Sequence, residues 1–226
     1  MQPTLPGDVL LLAVGDRAGY RTRGAVETVL GGALLCDAVL ADRPPLLGTK
    51  GKQRRKELER LVLDRGSTAV DEVGGLLCAA GVLAPLEHRV LGLFPRRGFA
   101  VRDASARQEA EQRLLSALHP GGRPDVGTAA LAVLCAVSGI ARSVAPPPSG
   151  RTERRALAAH LNGLVTVVGP GVAEILVATR DAYRRSGSSD GFVPLTGDDG
   201  YGDSGGDGGG GDGGGGGDGG GGGGGD

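Results

Sequence analysis

The chain of 226 residues has no tryptophan, one methionine, three phenylalanines and three tyrosines. A core with so few aromatic rings must be filled by Leu, Val and Ala, and such side chains suit closely packed helices. Cysteine is scarce as well. Cys36, Cys78 and Cys135 make an odd set, each inside an apolar stretch, which argues against a disulfide framework and for a reducing compartment. No apolar run reaches the roughly 20 residues of a membrane-crossing helix. The nearest, Thr128–Ile140, reads as a buried core helix. Met1-Gln2-Pro3 offers no basic segment ahead of an apolar one, so no secretory leader is expected.

Catalytic and metal-binding patterns are also missing. His88, His119 and His160 lie far apart, and neither they nor the cysteines show C-x-x-C or H-x-x-x-H spacing. There is no G-x-S-x-G. We therefore expect no catalytic residue, no metal and no cofactor. Gly200–Gly205 matches G-x-G-x-x-G, but no strand precedes it and no helix follows, the context that gives those glycines a role. The Asp/Gly repeats around it lack the large apolar residue that each turn of a calcium-binding nonapeptide buries.

What the chain has in excess is glycine, 45 residues, nearly half of them in 197–226. That window also carries Asp198, Asp199, Asp203, Asp207, Asp212, Asp218 and Asp226, and neither Lys nor Arg. The net charge of −1 thus conceals a basic body and an acidic tail. No apolar periodicity continues past Gly187, so residues 187–226 read as a disordered Gly/Asp-rich tail behind a folded domain of residues 1–186.

Within that domain the pattern is mainly α. Thr4 can cap a helix, with Pro6 tolerated in its first turn and Asp8 complementing the N-terminal dipole. Val9–Leu12 suits a buried helix or, at that length, a strand. A turn at 15–19 precedes a helix over Ala25–Leu40, where the cost of Gly31-Gly32 implies a second backbone close by. After Pro44-Pro45, a helix starts inside the basic cluster and ends near Gly66. Thr68 with Asp71 signals a further helix to Gly81. Glu87–Leu93 and Gly98–Arg102 form a β-hairpin around Pro95-Arg96-Arg97. Asp103 caps a helix with Ala110, Leu114 and Leu118 on its buried face. His119–Gly122 is a loop. Val126–Ala141 is the central core helix, and residues 146–150 link it to amphipathic helices at Arg151–Leu161 and Gly171–Arg185.

The bottom-up sign of a partner is charge. Lys50, Lys52, Arg54, Arg55 and Lys56 fall within seven residues, followed by Glu57 and Glu59, with Arg55–Glu59 spaced to pair on a helix. Arg21 and Arg23 lie in the loop before the second helix. In the hairpin, Phe94 and Phe99 stand beside Leu91 and Leu93, an apolar set suited to self-association.

Three blocks give a resemblance. TLPGDVLLLAVGDRAGYRTRGAVETVLGGALLCDAVLADR at Thr4–Arg43, GVLAPLEHRVLGLFPRRGFAVRD at Gly81–Asp103 and the apolar helix Gly127–Arg142 resemble, in this order, the Golgi phosphoprotein 3 family. The Ala/Arg/Gly-rich composition looks like its bacterial, actinobacterial-type branch. The resemblance implies a compact helical bundle with one projecting β-hairpin. It also implies a non-enzymatic peripheral membrane adaptor that binds phosphatidylinositol 4-phosphate, retains client proteins and self-associates through the hairpin. The family's headgroup pocket uses a Trp and three Arg. In this chain the Trp position falls on Thr22 or Gly24, and the Arg positions fall on Gly31, Ser67 and Val70, so the pocket reads as degraded. The expected partners are anionic or phosphoinositide lipid at the inner face of a membrane, with a cytoplasmic location. The alternatives are an interaction scaffold without lipid binding and a winged-helix-like nucleic-acid binder.

Overall fold

Thr4 opens the first helix, α1 (Leu5–Ala13): its Oγ1 accepts a hydrogen bond from the Gly7 N–H at 3.3 Å, and Pro6 occupies the first turn, where a missing N–H costs nothing. A computed structural model describes residues 4–14, 23–45, 49–90 and 94–186. The chain divides into two units, Met1–Thr196 and Gly197–Asp226, and the second lies outside the described residues. All of α1 is buried, so Val9–Leu12 is core helix and not a strand. Asp8 lies in the first turn of α1, as the dipole reading expects, and has a second partner. It is buried and accepts from Arg113 Nη2 at 2.6 Å, tying α1 to α4 (Ala104–Leu118).

α2 (Arg23–Leu40) packs against α1, α3 (Gly51–Ala79) and α7 (Pro170–Arg185). Its glycine pair fits the close approach read from the sequence. A Cβ on Gly31 would collide with the α3 backbone at Val62 and Gly66, and one on Gly32 would collide with the buried Thr179 side chain of α7.

α3 runs unbroken over Gly51–Ala79, 29 residues, where the sequence suggests two helices divided near Gly66. Gly66 is not a helix end. It is buried, and a Cβ there would strike the Glu27 backbone of α2. Ser67 and Thr68 cap nothing at this point; Ser67 Oγ donates back to the Asp64 carbonyl at 2.7 Å and the helix continues.

The hairpin also differs from its sequence reading. β1 (Leu83–Val90) and β2 (Phe94–Val101) pair antiparallel from Leu83↔Val101 to Val90↔Phe94. The connection is therefore residues 91–93, outside the described set, and Pro95 is a strand residue opposite Arg89. A two-stranded ribbon leaves one side of each strand unpaired, which accommodates Pro85 and Pro95 without breaking the ladder.

Asp103 Oδ1 accepts from the N–H groups of Ser105 and Ala106, at 2.9 and 3.3 Å, and starts α4, whose buried face includes Ala110, Leu114 and Leu118. α5 (Val126–Val137) is capped by Asp125 through the Thr128 N–H at 2.9 Å, and every residue from Thr128 to Val137 is buried. It stops before Ala141, because Gly139 turns left-handed at φ 71° and a 3-10 turn, Ile140–Ser143, follows. α6 (Arg151–Val167) runs past Leu161, and Gly169 at φ 81° turns the chain into α7. Among the described residues the architecture is thus seven α-helices and one hairpin. The core is aliphatic, with Leu10, Leu30, Leu114, Leu131, Leu134, Leu161, Ile175 and Leu176 all fully buried. Tyr183, one of three tyrosines, is buried with them and donates its hydroxyl to the Ser138 carbonyl at 3.0 Å.

Candidate functional site

The basic cluster forms the start of α3, and the structure sorts its cations into two groups. Arg54 and Arg55 turn inward to α7. Arg54 Nε donates to Glu174 Oε2 at 2.8 Å, and Arg55 pairs with Asp181. Arg55 also lies 3.9 Å from the buried Glu59, the pair its spacing suggests, and Glu59 is further paired with Arg185. Asp181 is shared with Arg180 at 3.1 Å. These groups form an ion-pair lattice that joins the first turns of α3 to α7. The sequence hides it because Arg54 and Glu174 lie 120 positions apart.

Lys50, Lys52 and Lys56 are exposed. Lys52 and Lys56, one helical turn apart, share a face with exposed Arg60, which the sequence reading passes over although it continues the same i,i+4 series. Glu57 lies between them but is engaged by Thr49, whose hydroxyl donates to Oε2 at 2.6 Å.

The other sequence candidates are placed as follows. Arg21 lies outside the described residues, and Arg23 is the first residue of α2. Of the positions aligned with the family's headgroup pocket, Thr22 is outside the described residues and Gly24 is exposed with open space around it. Gly31 is shut against α3, Ser67 is exposed and Val70 is buried in the core. In the hairpin, Leu91 and Leu93 fall outside the described residues, and Phe94 begins β2 beside the connection. Phe99 is at the other end of the ribbon, opposite Pro85, with its ring seated on Gly74 of α3. It therefore anchors the hairpin to the body.

Burial pushes the thiols of Cys36 and Cys135 far up, away from nucleophilic character, and the three cysteines are free. His160 Nε2 lies 2.7 Å from the Ala117 carbonyl, joining α6 to α4. Among the described residues, no group of three or more His, Cys, Asp or Glu could hold a metal ion, and no helix is long and apolar enough to cross a membrane.

No curated protein matches the chain significantly. The sequence profile of the family described as Golgi phosphoprotein 3 (GPP34) matches residues 44–179. That span takes in the basic start of α3, the hairpin, α4 to α6 and the first part of α7; Thr4–Arg43 lies outside it. A match over more than half of the chain, on a helical bundle carrying one hairpin, places this protein in the Golgi phosphoprotein 3 family, known for phosphatidylinositol 4-phosphate-binding adaptors.

Proposed function

We propose that this chain is a non-enzymatic peripheral adaptor that meets the anionic inner face of a membrane, from the cytoplasm, through the first half of α3. The observation that carries this reading is the exposed row Lys52, Lys56 and Arg60, with Lys50 at its start, on a helix inside the family match. The row spans about 12 Å along one helix face. Near an anionic leaflet each cation contributes about 1 kcal/mol, and the attraction falls off within a Debye length of about 8 Å at physiological salt. Four cations thus support weak, reversible binding.

Lipid selectivity follows from what the headgroup positions contain. A phosphate grip needs guanidinium forks held in fixed geometry. The aligned positions carry Gly31, Ser67 and Val70, and Gly31 has no space for any side chain. Arg21 and Arg23 supply charge near the aligned region without replacing that set. Binding therefore follows total anionic charge and distinguishes phosphatidylinositol 4-phosphate weakly at matched charge. The hairpin tip, Leu91, Leu93 and Phe94, serves self-association.

Vesicle flotation tests this. We expect binding to vesicles of simple anionic lipid and to phosphatidylinositol 4-phosphate vesicles of matched charge to be similar, to fade as salt rises, and to fall strongly in Lys52→Glu/Lys56→Glu. Salt-resistant preference for phosphatidylinositol 4-phosphate would overturn the charge-reading mechanism. A DNA titration alongside should show no comparable binding.

A further inference from the structure

The ion-pair lattice roofs one side of a cavity of about 330 Å³ between the start of α3 and the start of α7. Small-molecule sites span roughly 300–1,000 Å³, so the space suits a small ligand. Its walls are mainly apolar, from Leu58, Pro170, Ala173 and Val177. At the rim, Arg54 commits only Nε to Glu174, so its two terminal nitrogens have no partner among the described residues. Those nitrogens form a planar fork matched to a carboxylate. α3 also begins here without a side-chain cap at Lys50, and its first residue, Gly51, lines the cavity, which adds the positive end of the helix to the same rim. Gly24, Gly31, Ser67 and Val70, the described positions aligned with the family's headgroup pocket, do not line this cavity.

We propose that this cavity binds a single-chain amphiphile ending in one carboxylate. Its alkyl chain lies against Leu58, Ala173 and Val177, and its carboxylate sits on the free edge of Arg54. The charge count selects a monoanion. The residues that line the cavity set Arg54 and Arg55 against one carboxylate, Glu174, an excess of one positive charge, because Asp181, the partner of Arg55, is not among them. A cationic amphiphile would meet that excess of positive charge and the positive end of α3. A short carboxylate would leave the apolar wall unfilled, forfeiting the burial that holds the ligand. This inference does not depend on the membrane reading, which uses Lys50, Lys52, Lys56 and Arg60.

The test is calorimetric titration with decanoate below its aggregation threshold, beside butanoate and decyltrimethylammonium. The wild type should bind decanoate saturably, one per chain, and bind the other two far less. Ala173→Leu and Val177→Phe, which fill the cavity, should weaken decanoate binding by about tenfold or more while keeping the wild-type melting temperature. Arg54→Gln should cost about tenfold, the worth of one charge-assisted hydrogen bond. Absence of saturable binding, unchanged affinity in these variants, or equal binding of the cationic amphiphile would overturn the proposal. Flotation on anionic vesicles without decanoate uptake overturns this inference and leaves the membrane reading standing. Decanoate uptake without flotation supports it and removes only the membrane reading.

Discussion

Gly31 of α2 and Gly66 of α3 face each other where the two helices touch: a Cβ on Gly31 would lie 2.8 Å from the Gly66 nitrogen. The neighbouring atoms are backbone and cannot swing aside. Gly31→Ala and Gly66→Ala should each destabilise the protein by about 1–3 kcal/mol in urea unfolding, despite the roughly 1 kcal/mol that Ala gains in helix propensity. Gly75, also in α3, is exposed with nothing within 4 Å of its Cβ position, so Gly75→Ala should stabilise by about 0.5–1 kcal/mol. The same sign at all three positions would refute the close crossing.

Charge reversal should divide the basic cluster in two. Arg54→Glu/Arg55→Glu sets four carboxylates facing one another, with Glu174 and Asp181 of α7, and should lower the melting temperature by several degrees. Lys52→Glu/Lys56→Glu breaks no ion pair among the described residues and should leave it within about a degree, while weakening vesicle binding more. Equal thermal loss in the two variants would mean that the α3–α7 lattice does not hold the helices together.

Asp8 gives a signed pH dependence. Burial outweighs the pull of Arg113 and raises its carboxyl above the ordinary 3.8. A raised carboxyl contributes stability that is fully present below the unfolded value and is lost as the pH climbs through the folded one. Asp8→Asn does not titrate there, so wild type should gain on the variant as the pH falls from about 7 to about 4. Urea titrations at several pH values would show this as a changing difference. A difference that grows in favour of wild type as the pH rises would show that the Arg113 pair dominates.

The hairpin separates into an anchor and a tip. Phe99→Ala removes the ring seated on Gly74 and should destabilise by about 1–3 kcal/mol without changing particle mass. Leu91→Ser/Leu93→Ser should leave stability nearly unchanged and, if the tip carries self-association, lower the mass measured by light scattering. An unchanged mass would remove the tip from the interface.

Local signals were legible in the sequence and distant ones were not. Thr4 and Asp103 announce their helices because a cap is settled within three residues. Gly31-Gly32 announces a close approach because the propensity cost needs a compensating gain. Gly66 misleads for the same reason: glycine serves a turn or a close approach equally well, and only the facing Glu27 backbone decides between them. Pro95 misleads because a proline excluded from a sheet interior is admitted in a two-stranded ribbon. Of the candidate site, the charges are plain in the sequence. Their division is not, since Glu174, Asp181 and Arg185 reach α3 only through the tertiary fold.

Because α3 is one helix of 29 residues, its two ends cannot move independently. Lys56 lies near the start and Gly74, the seat of Phe99, lies 18 residues later on the same rod, about 27 Å along the axis. The unbroken helix acts as a spacer. Whatever surface the lysines rest on, and whatever the ribbon reaches, are held at a set separation and angle. Two shorter helices hinged at Gly66 would have left that geometry to the partners, whereas the single rod assigns it to this chain.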